Sequence, residues 1–209
     1  MTIMPDTLKY FMDNINFLSQ FNVPINCNLA SGYVFEDKSD IDLFISNLRK
    51  LADLYLTDIT QKPISTLNVI QLTDLVMPHK CYYTCGFNTY DCDGKKYLCN
   101  ESLPFVLGDI KLNNPLYIKQ ELIPVKCLTC KLHKGCLKCA ALNAIITQDA
   151  TKVDNKNCII KKAIYHELAS FAIALEKQDL LNGYDEGIHK KILEGALLVL
   201  ESEGINYEN

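Results

Sequence analysis

The residues of this chain with the widest range of possible chemistry are its cysteines. Ten cysteines occur among 209 residues, and nine of them fall between Cys81 and Cys158, whereas Cys27 stands alone in the first third of the chain. Thiolates act as nucleophiles, as disulfide partners and as ligands for zinc or iron. The compartment and the spacing decide among these uses.

The N-terminal residues indicate a reducing compartment. Asp6, Lys9 and Asp13 interrupt the stretch in which a secretion signal needs an unbroken apolar segment. We therefore expect a cytoplasmic protein, in which structural disulfides do not persist. Metal ligation is then the leading explanation for so many cysteines.

The spacing of the later cysteines favours iron–sulfur clusters over zinc. A CxxC pair can hold two corners of a cubane cluster while further thiolates arrive from elsewhere in the chain. A zinc ribbon separates its two CxxC pairs by roughly 15 to 20 residues, whereas only five residues lie between Cys130 and Cys136. Zinc stays open as the main alternative, because paired CxxC motifs also form four-thiolate zinc sites. Disulfides stay open as a further alternative. The dense segment reads Cys127-x2-Cys130-x5-Cys136-x2-Cys139, with Cys158 after a gap.

The earlier cysteines complete a pattern that resembles a known family. They read Cys81-x3-Cys85, then Cys92, then Gly94-x4-Cys99. Residues 81–158 resemble the SPASM domain, the auxiliary-cluster module of many radical S-adenosylmethionine enzymes that modify ribosomally made peptides. In that family Gly-x4-Cys precedes CxxC-x5-C-x3-C and a final cysteine. The chain departs from the pattern where two residues rather than three separate Cys136 and Cys139.

The resemblance implies two [4Fe-4S] clusters with separate ligand sets. The distal cluster would be held by Cys127, Cys130, Cys136 and Cys158. The proximal cluster would be held by Cys81, Cys85, Cys99 and Cys139. Cys92 is then a bystander. Lys126, Lys131, His133, Lys134 and Lys138 surround the dense segment and either offset the negative charge of a cluster or form a solvated basic loop.

The chain lacks the loop with which radical enzymes of this kind bind S-adenosylmethionine. That loop reads CxxxCxxC, but here Cys81-x3-Cys85 is followed by Cys92 only after six further residues. S-adenosylmethionine would therefore act only through a missing or separate N-terminal domain, and whether the chain is an enzyme stays open. The resemblance implies a portion of a peptide maturase that supports electron transfer and substrate positioning. A non-catalytic peptide-recognition or scaffold subunit and a zinc-binding interaction module are the alternatives.

Hydrophobic periodicity predicts the elements that carry these cysteines. Apolar residues at helical spacing predict helices over 7–20 and 39–54, and an alternating run predicts a strand over 23–29. Asp93-Gly94 lies between two strand-like runs and predicts a hairpin with a two-residue turn. Two further apolar stripes, interrupted at Asn182-Gly183, predict a C-terminal helical hairpin. The segments 55–59 and 69–77 are interpreted as strand or irregular.

The order of these elements predicts an α+β fold. Residues 1–72 resemble the C-terminal part of a partial (β/α) barrel, residues 73–160 form the SPASM-like domain, and residues 161–209 form the C-terminal helices. Half a barrel exposes sheet edges, which favours a longer maturase over a free-standing chain with a partner.

Composition excludes several classes of protein. A formal net charge of −4, with 48% hydrophobic and 22% charged residues, is ordinary for a globular protein and gives no sign of nucleic-acid binding. No apolar stretch approaches the roughly 20 residues of a membrane span. The expected partners are a peptide or protein substrate and either a radical catalytic subunit or a reductant protein.

Two other residues with possible chemistry are interpreted as structural. Cys27 is interpreted as a core residue, and His166-Glu167 lacks the second histidine that a zinc-protease helix requires.

Overall fold

The computed structural model describes most of the chain outside the middle cysteine-rich part. The described residues are 1–21, 25–29, 37–57, 71–76, 89–90, 92–94, 96–97, 124–134, 136, 140–149 and 151–202. They divide into two compact units, one built from Met1–Pro78 and Lys156–Asn209 and the other from His79–Asn155. In the described residues the first unit is mostly helical and the second is about half helical, and the described helices include no candidate for a membrane span.

The first unit begins with a short parallel strand pair. Strand β1, Thr2–Ile3, pairs with strand β2, Asn28–Leu29, and the ammonium group of Met1 donates a hydrogen bond of 2.6 Å to the carbonyl oxygen of Asn26. Of the described residues of the predicted strand 23–29, which are 25–29, only Asn28 and Leu29 are strand, and their partner was not predicted. A two-residue strand is too short for a periodic pattern, so β1 could not be predicted from the sequence.

Helices α1 and α2 form the N-terminal part of the core. A 3₁₀ helix, Pro5–Tyr10, leads into helix α1, Phe11–Ser19, and helix α2 spans Lys38–Thr57. Both predicted helices are thus confirmed. Their apolar stripes meet, and the side-chain amide of Asn47 donates 3.0 Å to the carbonyl oxygen of Leu8 inside the core. That bond satisfies a buried amide that would otherwise be costly. The buried apolar side chains are Leu8, Phe11, Ile15, Ile41, Phe44, Ile45, Leu48 and Leu51.

The predictions of an α+β fold and of a partial (β/α) barrel are wrong, because the described residues are mostly helical and their strands form only two short pairs. Tyr55–Thr57, which begins a segment interpreted as strand or irregular, is the last turn of α2, where the Thr57 hydroxyl donates 2.9 Å to the Asp53 carbonyl. In the segment 69–77, also interpreted as strand or irregular, the described part contains a 3₁₀ helix, Leu72–Leu75. Neither described strand pair extends beyond two strands, whereas a barrel needs long strands with both neighbours paired. The helical stripe of α2 continues through its aromatic end, and this outweighs the strand preference of a short apolar run.

The C-terminal segment supplies the other two long helices. Helix α5 spans Asn155–Glu176 and helix α6 spans Glu186–Glu201, with a 3₁₀ turn, Leu180–Gly183, between them. Helices α3, Val125–Leu128, and α4, Ala140–Thr147, belong to the second unit. The predicted helices are confirmed, although Ile188 and Leu200 of the predicted buried stripe are 39% and 37% exposed. The buried members of the two stripes are Leu168, Phe171, Ala172, Leu175, Ile192, Ala196 and Val199.

Three long-range contacts join these helices to the N-terminal segment. The guanidinium group of Arg49, the single arginine of the chain, donates two hydrogen bonds of 3.0 and 2.8 Å to the carboxylate of Glu167. The rings of Tyr55 and Phe171 meet edge to face with centroids 5.5 Å apart. Gly195 of α6 lies against the backbone of the buried Leu75. The ends of the chain therefore share one core.

The second unit contains short elements. Helix α3 spans Val125–Leu128, a 3₁₀ helix spans Lys131–Lys134, and helix α4 spans Ala140–Thr147. The predicted hairpin is confirmed, because strand β3, Thr89–Tyr90, pairs antiparallel with strand β4, Lys96–Tyr97.

The turn of this hairpin differs from the predicted two-residue type. Gly94 has a φ of +77°, whereas Asp93 is not among the described non-glycine residues with positive φ. A type I′ turn would need positive φ at both central residues. Of the described turn residues, Cys92 to Gly94, only Gly94 takes the left-handed position, and the pairing of Tyr90 with Lys96 leaves five residues in the loop rather than two.

Candidate metal centre

The CxxC pair lies on a single tight turn. The amide of Cys127 donates 2.7 Å to the carbonyl oxygen of Pro124 as helix α3 begins, and the amide of Cys130 donates 3.2 Å to the carbonyl oxygen of Cys127 just after the helix ends. Both cysteines are half-buried. The two residues are therefore at opposite ends of one hydrogen-bonded turn, a compact arrangement for two ligands of one metal site.

Cys136 is positioned by the next turn of the chain. Its amide donates 2.8 Å to the carbonyl oxygen of Leu132, and Leu132 is buried with 5% exposure. Cys136 is half-buried, like the CxxC pair. An apolar anchor thus fixes the segment between the second and third thiols of the predicted distal set.

The side of this segment that faces water is positively charged. Lys126 and Lys131 are both exposed, and the Lys126 ammonium group donates 2.5 Å to the side-chain oxygen of Asn155. Among the described residues, neither lysine forms an ion pair with a carboxylate. Their charges are therefore uncompensated in the described part of the unit.

A hydrogen-bonded turn closes the end of helix α4. The carboxylate of the buried Asp149 accepts hydrogen bonds of 2.9 and 2.7 Å from the amide and hydroxyl of Thr151. The pKa of Asp149 is held below its ordinary value. The largest cause is the hydrogen bond from the Thr151 hydroxyl, followed by the bond from the Thr151 amide, and the positive charge of the nearby Lys152 adds to them. The carboxylate is committed to this turn and is a structural group rather than a metal ligand.

The predicted ligands are only partly within the described residues. Cys158 lies on α5, half-buried, in the unit that contains the chain ends. Within the described ranges, no three His, Cys, Asp or Glu side chains form a group that could hold a metal ion, so the structure does not by itself assemble the distal quartet. The donor chemistry fits a cluster, because the described ligands are accessible thiols, but the ligand assignment stays a prediction. Outside the described residues lie Cys81, Cys85, Cys99 and Cys139.

Cys92 and Cys27 occupy opposite environments. Cys92 is exposed in the hairpin turn, next to Asp93 and Gly94. Cys27 is 1% exposed, and burial raises the pKa of its thiol to about 11, although the positive charge of the N-terminus acts in the other direction. An apolar site that disfavours the thiolate is unsuited to metal binding.

Cys27 should resist alkylation in the folded protein. A pKa of about 11 leaves roughly a hundredfold less thiolate at pH 8 than a pKa near 9 would, and burial further restricts access. We expect iodoacetamide to label Cys92 within minutes and Cys27 at least a hundredfold more slowly, as followed by peptide mass spectrometry. In urea the two rates should converge. Equal rates in the folded protein would contradict the buried placement.

Sequence reasoning missed the polar cluster around Glu167. Beside its pair with Arg49, the Glu167 carboxylate lies 3.8 Å from Nδ1 of His166, which has no hydrogen-bond partner among the described residues. Arg49 and Glu167 are 118 residues apart, so no local pattern could have paired them. The cluster joins α2 to α5 and contains no thiol, and we assign it a structural role.

Comparison with known proteins adds no relative. No family model matches the chain, and neither a curated protein nor a solved structure does so.

Proposed function

We propose that this chain binds two [4Fe-4S] clusters and serves as the SPASM-like portion of a radical S-adenosylmethionine system that modifies a ribosomally made peptide or protein. The observation that carries the proposal is the ordered set of cysteines from Cys81 to Cys158, with Gly94-x4-Cys99 ahead of the dense segment. Bound clusters would supply one-electron transfer or an iron that holds the substrate.

Two features of the described residues support this proposal. Gly94 takes a left-handed conformation at the tip of an antiparallel hairpin, at the glycine of the Gly-x4-Cys motif. Cys127 and Cys130 stand at the two ends of one hydrogen-bonded turn, half-exposed, as a pair of ligands requires. In this role the protein residues fix the thiols, and the lysines around them lower the cost of accumulating negative charge.

The proposal does not include a barrel. Since the described residues of 1–57 are mostly helical and contain only one short pair of strands, exposed sheet edges are no longer a reason to prefer a longer maturase. S-adenosylmethionine chemistry would come from another part of a longer chain or from a separate catalytic subunit. The alternatives are a scaffold subunit with structural clusters and a zinc-binding interaction module, because paired CxxC motifs also suit zinc.

Anaerobic reconstitution tests the proposal directly. Protein reconstituted with ferrous iron and sulfide should be brown and contain about eight iron and eight sulfide ions per chain. Reduction with dithionite should bleach the colour and produce an electron paramagnetic resonance signal near liquid-helium temperature. A colourless protein that retains zinc after the same treatment would support the zinc module instead. If both clusters form but their electron paramagnetic resonance signals do not change when a substrate peptide or a catalytic subunit is added, the result would support the scaffold subunit.

A further inference from the structure

The exposed face of helix α3 and the turn after it combines apolar and cationic side chains. Val125 is 79% exposed and Leu128 is 58% exposed, which are high values for aliphatic residues within a folded segment. Lys126 and Lys131 are exposed beside them. We refer to these four residues, Val125, Lys126, Leu128 and Lys131, as the basic cap. Exposed apolar residues surrounded by charge mark interaction sites.

The charge around the basic cap has one sign. No Asp or Glu occurs from residue 122 to residue 148, while four lysines do. Residues 79–155 contain ten lysines against seven acidic residues, although the chain as a whole has a net charge of −4. The segment 122–148 therefore carries only positive formal charge, and an acidic partner would be attracted to it.

The contact between Lys126 and Asn155 maintains the charge at the surface. The ammonium group donates to a neutral amide oxygen at 2.5 Å, so the side chain is positioned without being neutralised. A lysine held in place loses less conformational entropy when a carboxylate binds it. Lys131 begins the 3₁₀ helix that is anchored by the buried Leu132.

We propose that the basic cap is a docking surface for a protein partner that presents acidic residues around an apolar patch. Val125 and Leu128 fill the centre of the contact, and Lys126 and Lys131 pair with carboxylates at its rim. A protein is favoured over a nucleic acid because the apolar residues are aliphatic, whereas single-stranded nucleic acids stack on aromatic rings. A membrane is disfavoured because α3 has only four residues, too few for an amphipathic helix that lies in an interface. The inference concerns the chain without bound clusters, because a cluster at Cys127 and Cys130 would bring negative charge that the same lysines offset, and it is therefore tested apart from the proposed function.

A synthetic probe tests the docking surface. We would titrate the full chain into a fluorescein-labelled peptide of alternating Glu and Leu, and follow fluorescence anisotropy. The expected result is saturable binding that weakens at least several-fold as salt rises above about 0.1 M, where the screening length is about 10 Å. A matched peptide with Lys in place of Glu should not bind.

Variants assign the binding to the basic cap. Lys126→Glu/Lys131→Glu should weaken binding about tenfold or more, and Val125→Ser/Leu128→Ser should weaken it several-fold without changing its salt dependence. The control is Lys50→Glu/Lys191→Glu, which makes the same change in net charge at exposed lysines of the other unit and should bind like the parent chain. Lys126→Gln/Lys131→Gln, which adds no repulsion, should show an intermediate loss. Circular dichroism checks that each variant is folded.

Three outcomes would overturn the inference. The first is no saturable binding of the acidic peptide by the parent chain. The second is equal loss in the control and in the basic-cap variant, because the effect would then come from net charge alone. The third is binding only to single-stranded RNA or to phosphatidylserine vesicles, because the occupant would then be a different class of anion.

Discussion

Replacement of Gly195 with alanine is expected to destabilise the unit formed by the chain ends by about 3 kcal/mol or more. A methyl group on Gly195 would overlap the carbonyl oxygen of Leu75 and lie 2.9 Å from its carbonyl carbon. The obstruction is backbone, and Leu75 is fully buried, so no flexible side chain can move aside. Helix α6 would have to shift away from the 3₁₀ helix Leu72–Leu75. Urea unfolding followed by circular dichroism measures the loss.

The sign of this result separates packing from helix propensity. In an exposed helix, alanine is favoured over glycine by about 1 kcal/mol, so propensity alone predicts stabilisation. Gly183→Ala is the matched control, because a methyl group there would meet no atom within 4 Å and no positive φ is involved. We expect that variant to unfold within about 0.5 kcal/mol of the parent chain. Unchanged or increased stability in Gly195→Ala would show that α6 does not rest on Leu75.

Replacement of Cys158 with alanine is expected to remove one whole cluster. If Cys158 completes the distal set, the reconstituted variant should hold about four irons instead of about eight. Cys158 is a half-buried residue of helix α5, and alanine is the best helix former, so the helix should persist. Alanine is preferable to serine because it offers no oxygen to replace the thiolate. Iron and sulfide analysis, with circular dichroism for the fold, gives the result.

Cys92→Ala is the matched control for the iron measurement. Cys92 is exposed in the hairpin turn and is assigned to neither cluster, so its loss should leave the iron content unchanged. Full iron content in Cys158→Ala would refute the distal assignment while leaving cluster binding itself intact. Loss of iron in the Cys92 variant as well would show that the bystander assignment is wrong.

The elements predicted from sequence are those with a long periodic stripe. Helices α1, α2, α5 and α6 are all present where apolar residues recur at helical spacing, because that spacing is a local property of the chain. The hairpin was also predicted, from Asp93-Gly94, although its turn is not the two-residue type. The barrel failed because it was inferred from the order of elements, and a short apolar run such as Tyr55–Thr57 does not distinguish a strand from the end of a helix.

The candidate site was predicted to a smaller extent. Sequence spacing selected the cysteines and separated Cys27, which is buried and has a raised pKa, from the others. It could not select the exposed face of Val125 and Leu128, because exposure of an apolar residue depends on what the rest of the unit covers. The proximal set stays a prediction because its four cysteines lie outside the described residues, and the distal set stays one because no three of its described cysteines form a group that could hold a metal ion.

By itself, the sequence determined where helices α1, α2, α5 and α6 run and which cysteines have the spacing of metal ligands, because periodicity and spacing are properties of neighbours along the chain. Only the tertiary structure decided that residues 1–78 and 156–209 build a single unit. The pair of Arg49 with Glu167 and the contact of Gly195 with Leu75 join residues more than a hundred positions apart. Such contacts depend on how the faces of helices distant in sequence pack together, and a local sequence pattern does not predict them.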